Sequence, residues 1–314
     1  MKKLLALAAV SIALAGCTEE KDQARGPAPA PESGQRGVVY ATNYPLHYFV
    51  ERIASPAVEV RFPVPADQDP ASWRPGPEDV VAMQQADLIV LNGASYEGWL
   101  KNVSLPPSRL VDTTADLASR LIPLQAETTH SHGLEGEHQP SGTAFTTWLD
   151  PTLAAAQAVA VKDALAARWP QHTTRFDTQL AALIDELTAL DTAAREAVAG
   201  NPEIPVLFSH PVYQYLAGRY GLASRSVHWE PDQAPDEAQW QELVAMRAGF
   251  PTAWMIWEDT PLAEVRDRLE SLGVRSAVFD PCANTPPDGD FLSVMEENVR
   301  ALRLVFGTAS APTG

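Results

Sequence analysis

Between Pro170 and Gly200 the chain reads HTTRFDTQLAALIDELTALDTAAREAVA, residues 172–199, with neither glycine nor proline. Phe176, Leu180, Leu183, Leu187 and Leu190 recur at steps of four, three, four and three, which is one face of an α-helix. Pro170 stands just ahead of the run, and Gly200-Asn201-Pro202 stops it. A helix of this length extends about 42 Å, at about 1.5 Å per residue. A seam for a coiled-coil partner is the plainer use of such a stripe, but this one is short and rich in alanine. A rigid helix linking two lobes fits it better.

Ahead of this helix, short apolar runs at 38–42, 58–64, 88–91 and 110–111 alternate with helical patterns such as 46–53 and 77–85. Beyond the long helix the rhythm repeats, with runs at 206–209, 225–228, 253–257 and 277–280. Strand, helix, strand at this spacing predicts an α/β chain of two lobes, each a parallel sheet flanked by helices. The expected division is an N-terminal lobe over 38–171, a linking helix over 172–200 and a C-terminal lobe over 201–309. Ligands of such sheets sit beyond the carboxyl ends of the strands, which singles out Asn43, Asn92, His210, Glu258 and Asp280.

The first seventeen residues predict an exported protein. Lys2 and Lys3 precede a short apolar run that closes on Leu14-Ala15-Gly16-Cys17. Charged start, apolar middle and small residues before the cut are the marks of a signal peptide, and the run is too short to span a bilayer permanently. The closing four residues resemble a bacterial lipobox, which makes Cys17 the lipidated residue. The other reading is an ordinary secretory peptide with a coincidental cysteine. Residues 18–37, with Pro27, Pro29, Pro31, Gly26, Gly34 and Gly37 among small and charged residues, predict a flexible tether.

Of 314 residues, 23 are basic and 40 acidic; setting aside Lys2 and Lys3 leaves a formal net charge of −19. That balance argues against nucleic acid and against anionic membrane surfaces as partners. Beyond Cys17 the single cysteine is Cys282, so neither a disulfide framework nor a cysteine-rich metal site is expected. The sequence has no nucleophile elbow, phosphate loop or His-Glu-x-x-His motif, so an enzyme is the weakest reading.

Several strings in order then carry a resemblance. Tyr44-Pro45-Leu46 follows the first strand, and residues 69–79 read DPASWRPGPED. Ala86-Asp87-Leu88, Asn92-Gly93 and Glu97-Gly98-Trp99-Leu100 follow, then Trp148-Leu149-Asp150-Pro151 at the opening of a helix. Ser209-His210, Tyr220-Gly221-Leu222, Glu230-Pro231, Glu258 and Asp280-Pro281 complete the series. The chain resembles the solute-binding lipoproteins of zinc and manganese ABC importers along most of its length. The resemblance implies a binding protein that carries Zn²⁺ or Mn²⁺ as cargo to an ABC-transporter permease, with no catalytic cofactor.

It also implies a ligand set, and here the chain departs from the family. Relatives hold the ion with histidines, or histidines and a glutamate, plus a carboxylate, drawn from both lobes. Zn²⁺ favours four N, O or S ligands in a tetrahedron, and imidazole is a common donor. The first histidine position is Ala71 and the second is Thr146, so only His210 and Asp280 remain at ligand-matching positions. An altered or weakened metal site is expected. Two additions are open. Glu258 either enters the shell or orients a ligand from behind. The stretch 128–142, with His130, His132 and His138, lies where zinc-specific relatives carry a histidine-rich loop; the alternative is a solvated polar loop.

His47 and His172 read as helix residues, and His228 ends a strand beside Trp229, with the cleft as a secondary placement. Tyr44, Trp73, Trp148, Tyr213 and Trp257 are expected to line the cleft with Thr146. Aromatic walls beside one histidine and one carboxylate also fit an organic cation. The alternative function is therefore a family member that has lost metal and binds another small solute, or acts as an interaction protein.

Overall fold

The structure, a computed structural model, describes residues 36–124 and 142–307. Two four-stranded parallel sheets have the same strand order. In the first, β1 (Gly37–Ala41), β2 (Val58–Arg61), β3 (Leu88–Leu91) and β4 (Leu110–Asp112) lie in the order β2-β1-β3-β4. In the second, β5 (Val206–Phe208), β6 (Ser224–Ser226), β7 (Trp254–Trp257) and β8 (Arg275–Val278) lie in the order β6-β5-β7-β8. Parallel neighbours need crossovers, and helices supply most of them. These are α1 (Tyr44–Ala54) and α2 (Pro77–Gln85) in the first lobe, and α5 (Gln214–Tyr220), α6 (Glu237–Gly249) and α7 (Ala263–Ser271) in the second.

Local chemistry sets the helix starts. The Asn43 side chain accepts from the Leu46 amide and caps α1. Asp150 accepts from the Thr152 amide and opens α3 (Pro151–Arg168), with proline in the first turn where its missing N–H costs nothing. β1 starts one residue earlier than the sequence rhythm indicates, at Gly37, which the expected tether included. A Cβ there would lie 2.1 Å from the Trp169 ring, so the strand passes the indole only as glycine.

The long helix is α4 (Thr173–Val198). All five stripe residues, Phe176, Leu180, Leu183, Leu187 and Leu190, are buried. They pack in one apolar cluster that also takes in α1 and α3 of the first lobe and α8 (Phe291–Phe306) of the second. The helix is thus a shared wall as well as a connection. Each lobe also has a core on its outer face. The first gathers Tyr40, Trp73, Met83, Ile89 and Trp99; the second gathers Leu207, Trp229, Trp240, Leu243 and Trp257.

The lobes are stitched together by polar contacts. The Trp148 indole donates to the Pro281 carbonyl at 2.7 Å, the Tyr44 amide to the Ala283 carbonyl at 2.9 Å, and the Tyr215 hydroxyl to the Ala144 carbonyl at 2.8 Å. The Asn284 amide donates at 2.7 Å to the carbonyls of Pro65 and Gln68. Among the described residues, no helix is long and apolar enough to cross a membrane.

Candidate functional site

Three chain segments leave the second sheet side by side at its carboxyl edge. His210 lies two residues beyond β5, Glu258 directly beyond β7, and His228 two residues beyond β6. The backbone fixes their spacing. The Ser209 amide donates to the Ile256 carbonyl at 2.9 Å, and the Trp229 amide to the Ser209 carbonyl at 2.8 Å. His210 Nδ1 and Glu258 Oε1 are 3.0 Å apart. A carboxylate acceptor at Nδ1 places the proton there and leaves Nε2 to take a ligand. The His228 ring stands edge-on to that of His210, with centroids 5.7 Å apart.

Burial works against charging His210, but the hydrogen bond and charge of Glu258, helped by Glu230 and Asp69, outweigh it. They leave its pKa above the ordinary 6.5. The pair is nonetheless reachable from solvent, with side chains 19% and 27% exposed.

Asp280 lies two residues beyond β8, the edge strand next to β7. Its Oδ1 accepts from the Cys282 amide at 2.6 Å, holding a turn in which Cys282 has φ of 55°. The Asn298 side chain on α8 brackets its backbone, accepting from the amide at 2.9 Å and donating to the carbonyl at 2.7 Å. Burial pushes the Asp280 carboxyl up, as do Asp259 and Glu258, against the pull of the Cys282 amide. One oxygen is therefore engaged in shaping the loop. Among the described residues, no group of three or more histidine, cysteine or acidic side chains is arranged to hold a metal ion. His210, Glu258 and Asp280 thus share an edge of the sheet without converging as one shell.

The first lobe faces this edge with little that coordinates. At Ala71 the backbone amide donates to Asp69 Oδ1 at 2.9 Å. Thr146 is buried, and its hydroxyl donates across the interface to the Val212 carbonyl. A hydroxyl spent on a carbonyl stitches the lobes together.

The aromatic residues divide. Tyr44, Trp148 and Tyr213 belong to the cluster at the junction of the lobes, and Tyr213 donates to the Phe279 carbonyl at 2.7 Å. Trp73 packs edge-on against Trp99 in the first lobe's outer core, and Trp257 is buried beside Trp229 in the second's. Trp257 and Glu258 are consecutive at a strand end, so they project to opposite sides and only the glutamate reaches the edge. For these two tryptophans the structure gives core positions in place of the expected wall.

His47 sits in α1 beside Tyr44 and Phe62, with Nε2 3.7 Å from Glu51. His172 lies against Phe176 at the start of α4. Cys17 and the loop histidines His130, His132 and His138 lie outside the described residues. His228, with the cleft only as a secondary placement, carries the same sequence signal as His210: each stands two residues past a strand.

Residues 39–304 match the model of the family described as zinc-uptake complex component A, periplasmic. The chain belongs to that family. The zinc-binding lipoprotein AdcA of Streptococcus pneumoniae is 26% identical over 96% of this chain, and the chain spans 61% of that relative's length. The high-affinity zinc uptake system protein ZnuA of Bacillus subtilis is 24% identical, with 96% of each chain covered. The manganese ABC transporter substrate-binding lipoprotein PsaA of Streptococcus anginosus is 28% identical over 95% of this chain and 97% of its own. Among solved structures, the Zn(II)-bound ZnuA-like domain of S. pneumoniae AdcA superposes with a TM-score of 0.74 at 22% identity, covering 87% of this chain and all of that one. The Mn²⁺ complex of FpvC from Pseudomonas aeruginosa gives 0.70 at 20% identity, covering 87% and 98%. These structures share the two-lobed fold of the family member described here.

Proposed function

We propose that this chain is the substrate-binding lipoprotein of a divalent-metal ABC importer of the zinc or manganese type. It captures the ion at the carboxyl edge of the second sheet, between two lobes braced by α4, and delivers it to a membrane permease. Cys17 carries the lipid anchor, which holds the folded body on the extracytoplasmic side. The chain is a carrier and has no catalytic step. The observation that carries the reading is the pairing of His210 with Glu258, which fixes an imidazole with Nε2 free to coordinate on a solvent-accessible edge facing the first lobe. Family membership over residues 39–304 supports it. Ala71 and Thr146 supply no donor, so the site is altered and weaker than a four-donor shell, with water filling the open positions.

The test is a calorimetric titration of the full, metal-stripped chain with Zn²⁺, beside Asp280→Ala and a variant lacking His130, His132 and His138. One-to-one binding that survives the loop change and weakens with Asp280→Ala is expected. Binding abolished only by the loop change assigns the metal to the loop, and an absence of binding sinks the carrier reading.

A further inference from the structure

We propose that His228 is a metal ligand of this chain, joining His210 in a two-imidazole site on the second lobe. It takes over from the nitrogen donors that Ala71 and Thr146 do not provide. The inference rests on the metal-capture reading above and adds to it both a ligand and a preference among metals.

The geometry points this way. With Zn–N bonds of about 2.0–2.1 Å and tetrahedral angles, two imidazoles on one zinc have ring centres about 5 Å apart. The ring centroids of His210 and His228 are 5.7 Å apart, within an ångström of that separation. Their approach is built into the sheet. β5 and β6 are neighbours, and the Val227 and Trp229 amides donate to the Phe208 and Ser209 carbonyls at 2.9 and 2.8 Å. The two segments are thus laced together on both sides of His228. Glu258 orients the His210 ring through Nδ1 at 3.0 Å.

The surroundings suit a cation. Glu230, two residues past His228, and Asp69 from the first lobe both act on His210 electrostatically, alongside Glu258. Two imidazoles beside carboxylates leave coordination positions for water, which lets the ion be released as well as bound. Imidazole suits zinc, whereas carboxylate and water suit manganese. A site whose nitrogen donors are two histidines therefore favours zinc over manganese.

The experiment uses the full chain, stripped of metal and labelled with ¹⁵N-histidine, titrated with Zn²⁺ alone and separately with Mn²⁺. The ring resonances of His210 and His228 should move together and saturate at one zinc per chain. His228→Asn should weaken zinc binding by about tenfold or more, His172→Asn should leave it unchanged, and Mn²⁺ should bind more weakly than Zn²⁺. Zinc binding that moves His210 while His228 stays still, with His228→Asn matching the parent, overturns this inference and spares the carrier reading. Failure of the parent to bind zinc overturns both. The resonances are read on the parent chain, so the result stands even where the variant folds poorly.

Discussion

Asn43 and His210 occupy equivalent places in two sheets of the same strand order, each two residues past the first strand of its lobe. Asn92 and Glu258 are likewise equivalent, each directly past the third strand. In the first lobe the pair is two amides, Asn43 Nδ2 to Asn92 Oδ1 at 3.2 Å, and both residues are fully buried. In the second it is an imidazole and a carboxylate at 3.0 Å, open to solvent. The same backbone junction has been used once to seal a helix start and once to present ionisable groups. Fold alone therefore does not fix where the chemistry lies. The side chains at the strand ends differ, and of these two pairs only the second lobe's is ionisable.

The largest difference lies in how the two lobes handle a buried carboxylate. Glu97, in the loop after β3, accepts from the Thr42 hydroxyl at 2.6 Å and from the Asn92 and Gly93 amides at 2.7 and 3.1 Å. It thereby steadies a turn in which Gly93, Ala94 and Ser95 all have positive φ. Burial, opposed by those hydrogen bonds, raises its pKa from 4.5 to about 7. Between those values the folded chain holds a proton that the unfolded chain has released, so Glu97 makes stability fall as pH rises from 4.5 to 7. Its contribution is about 3 kcal/mol over that window. Glu97→Gln should remove that slope, which urea unfolding of parent and variant at the two ends of the window will show.

Glu258→Gln acts on the other lobe. It should reduce zinc affinity by about 10–100-fold, the usual cost of losing a partner that orients a ligand, with little change in unfolding midpoint. Ala71→His would restore a donor to the first lobe, and zinc affinity measured by competition with a chelator should tighten by about tenfold, or about 1.4 kcal/mol. An unchanged affinity would show that residue 71 does not face the captured ion. The smallest effect is expected at Asn43. Asn43→Ala removes the α1 cap and should cost about 1 kcal/mol of stability while leaving zinc binding as it was, the converse of a change at His210.

Much of this was legible beforehand. The stripe from Phe176 to Leu190 is buried throughout, and the predicted 77–85 helix is α2 to the residue. The strands fall within a few residues of their apolar runs, because parallel strands buried on both faces read as continuous apolar stretches. The site was legible only in part. Which strand ends meet depends on crossover order, 6-5-7-8, and that order is not encoded in local spacing. His210 and Glu258 are 48 residues apart in sequence and adjacent in space. His228 was readable as a strand-end histidine, but its closeness to His210 follows from β6 lying next to β5. Trp257, expected among the aromatic cleft walls, ends β7 one residue before Glu258, and strand alternation sends it the other way.

One measurement decides whether His210 holds the metal: calorimetric titration with Zn²⁺ of the variant lacking His130, His132 and His138, with and without His210→Ala. One-to-one binding in the loop variant, lost when His210 is replaced, is the predicted result. Binding that persists without His210 would show that the second lobe's strand-end imidazole is not what holds the metal.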